Sequence, residues 1–192
     1  RCTAKDVCFT ATALAARAIR LLETDPDLDV VTLPAVCERC LVDAVPRMVE
    51  RATGRTPAFT WERAWRAPDG AAPDDVPAPT PAGDDASRPR IGLVGNPLLV
   101  FDPFMNDRLV EMLGALGAEP VLPDPALLFS DDVRFLPQLD AFAAAGVRHV
   151  IYLQSFGCLK GHVRSRGALH DLGRRYPEMQ ITVLDYDPEA SA

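Results

Sequence analysis

Residues 146–158, GVRHVIYLQSFGC, decide the fold. Val150-Ile151-Tyr152-Leu153 is the strongest strand signal in the chain, a short apolar run rich in β-branched and aromatic side chains. Before it, Leu136, Leu139, Phe142 and Ala143 recur at helical spacing until Gly146 breaks the pattern. After it come Gln154-Ser155-Phe156-Gly157-Cys158, a basic helix, and a further strand, Ile181-Thr182-Val183-Leu184. Working towards the N-terminus, Ile91-Gly92-Leu93-Val94 reads as a strand and Gly95-Asn96-Pro97 as a turn. Asn106 to Leu116 reads as an amphipathic helix ending at Gly117, and Val121-Leu122 starts another strand. Strands alternating with helices imply an α/β fold with a doubly wound parallel sheet. The ligand site of such a sheet lies at the carboxyl ends of its strands.

Further upstream the same alternation returns. Val7, Ala11, Leu14, Ala18 and Leu21 share one face of a helix, which Asp25-Pro26-Asp27 breaks. Val30 to Leu33 reads as a buried parallel strand, followed by Cys37-Glu38-Arg39-Cys40 (CERC) at its carboxyl end. Leu41, Val45, Met48, Val49 and Ala52 then continue at helical spacing to a stop at Gly54, with Pro46 expected in the first turn, where proline is tolerated. Between the two segments, residues 67–89 (APDGAAPDDVPAPTPAGDDASRP) are Pro, Ala and Asp with almost nothing to bury, the composition of a stiff, acidic, disordered linker. The expected division is a first α/β lobe at 1–66, incomplete by itself, a linker at 67–89 and a second lobe at 90–192.

The chain has 192 residues, 48% of them hydrophobic, enough for one large or two small cores. Its formal net charge of -7 lacks the phosphate-neutralising surface of a nucleic-acid binder. No apolar stretch approaches the roughly 20 residues that span a bilayer, and the N-terminus has no signal-peptide pattern, which together point to a cytoplasmic protein. Opening on Arg1 and stopping just after a strand, the sequence reads as an excerpt of a longer protein. Five cysteines, an odd number, argue against a disulfide framework and towards metal ligation or buried thiols.

The strand reading gives those thiols a common address. Cys37 and Cys40 follow one strand, Cys158 follows another, and Cys2 starts the first helix, where the dipole favours a thiolate. Cys8 lies six residues further on, about 600° around the helix and therefore roughly 120° off the face of Cys2, and reads as a core thiol. A zinc ribbon usually pairs two C-x-x-C units, and only one is present. The spacing leaves open an iron–sulfur cluster bridging separate strand ends, plain structural thiols, and a redox C-x-x-C at a helix start.

The residues from Cys2 to Lys5, the strand ending in CERC, and the run QSFGCLKGHVRSRGAL (154–169) together resemble the 2-hydroxyacyl-CoA dehydratase family. That family also includes benzoyl-CoA reductase subunits and double-cubane-cluster proteins, and its domain occurs in acyl-CoA dehydratase activase-related proteins. The terminal RYPEMQITVLDYDPEAS is similar to the family's closing strand. The resemblance implies two flavodoxin-like lobes with an iron–sulfur cluster, [4Fe-4S] or double-cubane, held between them by Cys2, Cys37, Cys40 and Cys158. It implies an ATP-hydrolysing activase partner that supplies low-potential electrons, and an acyl-CoA substrate. The family's catalytic subunits are longer and carry a helical substrate region not found here, so the chain reads as a component of an acyl-CoA dehydratase or reductase. The alternative is a non-catalytic interaction or regulatory α/β domain with structural or zinc-bound cysteines.

Other residues carry weaker signals. Neither G-x-G-x-x-G nor G-x-x-x-x-G-K-[ST] occurs, so ATP hydrolysis falls to a partner. His162 follows the FGC turn, whereas His149 precedes a strand and His170 lies on a helix without a companion at ligand spacing. Lys160, Arg164 and Arg166 suit coenzyme A phosphates or an acidic partner surface, and equally a solvated basic helix face. Asp185 and Asp187, at alternate positions after the last strand, are expected on one side of it.

Overall fold

The computed structural model describes residues 9–36, 40–62, 88–128, 135–155, 167 and 169–186, and within them the chain is α/β with two parallel sheets. The first helix, α1 (Phe9–Thr24), buries Thr10, Ala11, Leu14, Ala15, Ala18 and Leu22. Its inward stripe passes from Ala18 to Leu22, four residues on, which leaves Leu21 40% exposed rather than on the core face expected for it. Val7 lies outside the described residues.

Strand β1 (Val30–Pro34) follows, then α2 (Cys40–Thr53), then β2 (Ala58–Glu62). The two strands pair in parallel from Val30 opposite Ala58 to Pro34 opposite Glu62, with α2 as the crossover that parallel pairing requires. Val31 and Leu33 point into the core while Thr32 meets Thr60 on the outer face, their hydroxyls 2.8 Å apart. Leu41, Val45, Met48 and Val49 of α2 are buried, and Gly54 ends the helix at φ +69°. Two expectations are corrected here. Ala52 faces outward, and Pro46 sits inside α2 rather than in its first turn, so the bond its missing N–H would make to the carbonyl four residues back is lost.

The larger sheet is built from β3 (Arg90–Gly95), β4 (Glu119–Val121), β5 (His149–Ser155) and β6 (Gln180–Tyr186), all parallel, in the spatial order β4-β3-β5-β6. Between β3 and β4 stand α3 (Pro97–Phe101) and α4 (Leu109–Ala115); between β4 and β5 stand α5 (Pro125–Leu128) and α6 (Leu136–Ala144). Residues 169–175, which precede β6, are also helical. Phe142 of α6 packs over Gly92, where an added Cβ would come within 2.7 Å of the ring. Phe135 meets Tyr152 edge-on at 5.5 Å between ring centroids.

The helix expected over Asn106 to Leu116 is shorter than its periodicity suggests. Asp107 and Arg108 both take left-handed φ, 53° and 58°, and the buried Asn106 accepts a hydrogen bond from Leu109 N at 3.1 Å. Helical backbone therefore starts at Leu109. The same Asn106 donates through Nδ2 to Leu99 O at 3.0 Å, so one side chain ends α3 and starts α4. Strand β4 ends at Val121, where the sequence had suggested a start, and Ala143 of α6 faces solvent.

Most of the segment read as a linker lies outside the described residues, but its end is held. Arg88 donates to Gly117 O and Ala118 O at 3.3 and 3.0 Å, and Glu119 N donates to Pro89 O at 2.9 Å. The buried apolar side chains around both sheets belong to one continuous cluster. No helix among the described residues is long and apolar enough to cross a membrane.

Candidate functional site

Strand order sets the position of the site. Strand β4 lies on one side of β3, while β5 and β6 lie on the other, so the order reverses between β3 and β5. At such a point the connections diverge and a crevice opens beyond the strands' carboxyl ends. Here that edge carries the turn after Gly95 and the end of β5 at Ser155.

Gly95 is required by the close packing of this turn. Its φ is +135°, and a Cβ would meet Leu153 O at 2.0 Å. Asn96 N donates to that same carbonyl at 3.0 Å. The Asn96 side chain caps α3, its Oδ1 accepting from Leu98 N at 3.0 Å, and Pro97 takes the helix-start position that suits a residue without an N–H. Its Nδ2 donates to Thr10 Oγ1 at 2.8 Å, reaching the first turn of α1.

That last bond ties the two-stranded region to the carboxyl edge of β3 and β5. Arg55, just past α2, donates to Leu22 O at 3.1 Å and Leu28 O at 2.8 Å, so the carboxyl ends of α1 and α2 lie together. The helices are about 24 and about 21 Å long at 1.5 Å per residue, so their amino ends also share an edge. Cys40 is the first residue of α2, on that edge, at the carboxyl end of β1. Through Thr10 and Asn96 the edge that carries Cys40 adjoins the carboxyl edge of β3 and β5.

Polar groups stand at the carboxyl ends of β5 and β6. Gln154 and Ser155 are buried at the end of β5, and Gln154 Nε2 donates to the Asp185 carboxylate on β6. Tyr186 OH donates to Asn106 O at 3.0 Å and ties the end of β6 to the loop between α3 and α4. Burial raises the Tyr186 pKa above its ordinary 10.0, and the nearby Asp107 carboxylate raises it further. Away from this edge, burial and a hydrogen bond to Asp140 raise Tyr176, while Tyr176 and then Asp140 raise Arg175.

Of the expected cluster ligands, Cys40 is placed and Cys2, Cys37 and Cys158 lie outside the described residues, as do Cys8, Lys160, His162, Arg164, Arg166 and Asp187. Among the described residues no three His, Cys, Asp or Glu side chains gather as a metal site. His149 opens β5 and belongs to the opposite, amino edge, beside a concavity of about 290 Å³ lined by Ile91, Ile151, Gln180 and Thr182. His170 is exposed on its helix. Thr10 and Asn96 were not anticipated as site residues. The order Asn96-Pro97 carried a helix-start signal, whereas nothing local to Thr10 marks it. Comparison of the chain with protein-family models, with curated proteins and with solved structures gives no match.

Proposed function

We propose that the chain is an iron–sulfur protein of the 2-hydroxyacyl-CoA dehydratase and reductase type, in which two flavodoxin-like lobes share a cluster bound by Cys2, Cys37, Cys40 and Cys158. The observation that carries this reading is the bond between Asn96 and Thr10, which joins the carboxyl edges of two parallel sheets, one of them bearing Cys40. The donor chemistry agrees, because soft thiolates delivered from separate strand ends suit iron–sulfur ligation. Cys40 stands at a helix amino end, where the backbone dipole favours a thiolate over a thiol. A bound cluster supplies one-electron chemistry at low potential. The four thiolates would hold it, Gln154 and Ser155 are buried at the carboxyl end of β5, and Lys160, Arg164 and Arg166 carry the charge that would suit coenzyme A phosphates. An ATP-hydrolysing activase provides the electrons, and the cytoplasm, where thiols stay reduced, is the compartment.

The test is anaerobic purification with iron, zinc and acid-labile sulfide measured beside the visible spectrum. Iron with matching sulfide and a broad absorption that bleaches on reduction is expected. Cys158→Ala loses iron, and Cys8→Ala keeps it. Zinc, or no metal in protein that never met air, overturns the reading in favour of an interaction domain with structural thiols.

A further inference from the structure

Asn96 bonds to three elements, and the three bonds differ in what they leave free. Its backbone N–H goes to Leu153 O of β5, a central strand, beside a Gly95 so close to that carbonyl that no side chain fits. Its Oδ1 goes to Leu98 N and fixes the side-chain rotamer by capping α3. The turn is thus rigid with respect to the four-stranded sheet. The remaining group, Nδ2, points its donor at Thr10 Oγ1, which belongs to a residue only 2% exposed. Apolar packing between the two sheets is non-directional, whereas a hydrogen bond sheltered from water fixes distance and angle.

We propose that the Asn96–Thr10 pair is a latch that sets how the carboxyl edges of the two sheets face each other. Resting on the iron–sulfur reading, Asn96 is then a positioning residue, since the turn it fixes at the carboxyl edge of β3 and β5 is tied through Thr10 to the edge where Cys40 opens α2. Opening the latch frees the edge that bears Cys40 to move relative to the carboxyl edge of β3 and β5 without removing any thiol.

Thr10→Val removes the hydroxyl at nearly constant volume, and Thr10→Ser retains it. In the metal-free full chain, Thr10→Val speeds amide hydrogen exchange roughly two- to ten-fold in the first bonded turn of α1 and across residues 96–100, the range for loss of one neutral hydrogen bond. Thr10→Ser keeps the parent rates. Unchanged exchange in Thr10→Val overturns the latch. Should Thr10→Val not fold, Asn96→Ala breaks the same bond from the other side, and α1 exchange faster than the parent's supports the latch while parent-like exchange overturns it. In the iron-loaded chain, Thr10→Val retains the parent iron content but shows a broadened paramagnetic resonance spectrum of the reduced state and a shifted reduction potential, both restored in Thr10→Ser. A parent-like spectrum and potential in Thr10→Val overturn the positioning role. If the parent chain binds no iron, the proposed function fails, and the exchange measurement still decides the latch.

Discussion

In the two-stranded sheet burial alternates along β1, with Val30 49% exposed and its neighbour Val31 1% exposed. In the four-stranded sheet the neighbours Leu93 and Val94 of β3 are both fully buried. A parallel pair covered by α1 and α2 has one inner face, whereas β3 and β5 have strands on both sides and helices packed around them. The smaller sheet is therefore the dependent one, because two strands by themselves are marginal and gain stability from what they pack against. The bond between Thr10 and Asn96 and the shared apolar cluster are where it leans on the larger sheet.

The strongest way to break this contrast is to hollow each region in turn. Phe142→Ala removes the ring that fills the space over Gly92 and costs about 3–5 kcal/mol; Leu33→Ala in β1 costs about 2–5 kcal/mol. Because the cluster is continuous, denaturant unfolding followed by circular dichroism should show one transition for each variant, displaced to lower denaturant. Two separated transitions would show the sheets to be independent.

Proline offers a smaller, opposite test. Pro46 interrupts the interior of α2, so Pro46→Ala should stabilise the chain by up to about 3 kcal/mol, read as a higher denaturation midpoint. Pro137 lies in the first turn of α6, where no bond is lost, and Pro137→Ala should stay within about 0.5 kcal/mol.

The smallest effect belongs to Tyr186. Tyr186→Phe removes the bond to Asn106 O and should cost about 1 kcal/mol at neutral pH. Since folding raises its pKa, the protonated phenol's contribution is complete below the ordinary value of 10.0 and is lost as pH rises through the raised value. The parent should lose stability in that alkaline window more steeply than the variant, as measured by unfolding midpoints across the titration.

The difference between the sheets also explains which elements could be read from sequence. Val150 to Leu153 and Val30 to Leu33 are apolar runs bounded by breakers, and both are strands. Strand β2 escaped although Phe59 and Trp61 alternate with polar neighbours, because five residues after a glycine stop resemble a tail. Helix α3 was hidden in the opposite way: Leu98-Leu99-Val100-Phe101 is apolar all round, so it has no period to detect. The late start of α4 depends on the backbone of Asp107 and Arg108 and on Asn106 hydrogen bonding, which hydrophobic spacing does not report. The alternation of strands and helices was legible, and Cys40 opens α2 after β1 as the order strand, Cys-bearing turn, helix suggested. The partnership of Thr10 and Asn96 was invisible, because it depends on how two separate sheets dock.

Those two residues are 86 positions apart in the chain. Closing a loop of that length costs about 4 kcal/mol of chain entropy beyond a constant term, more than one hydrogen bond returns. The contact therefore forms after the more local pairings of each sheet have brought its ends near, late in the order of folding events. Any site assembled from both edges would inherit that timing. Its binding groups would come together only once both scaffolds exist, so that occupancy would report completed folding.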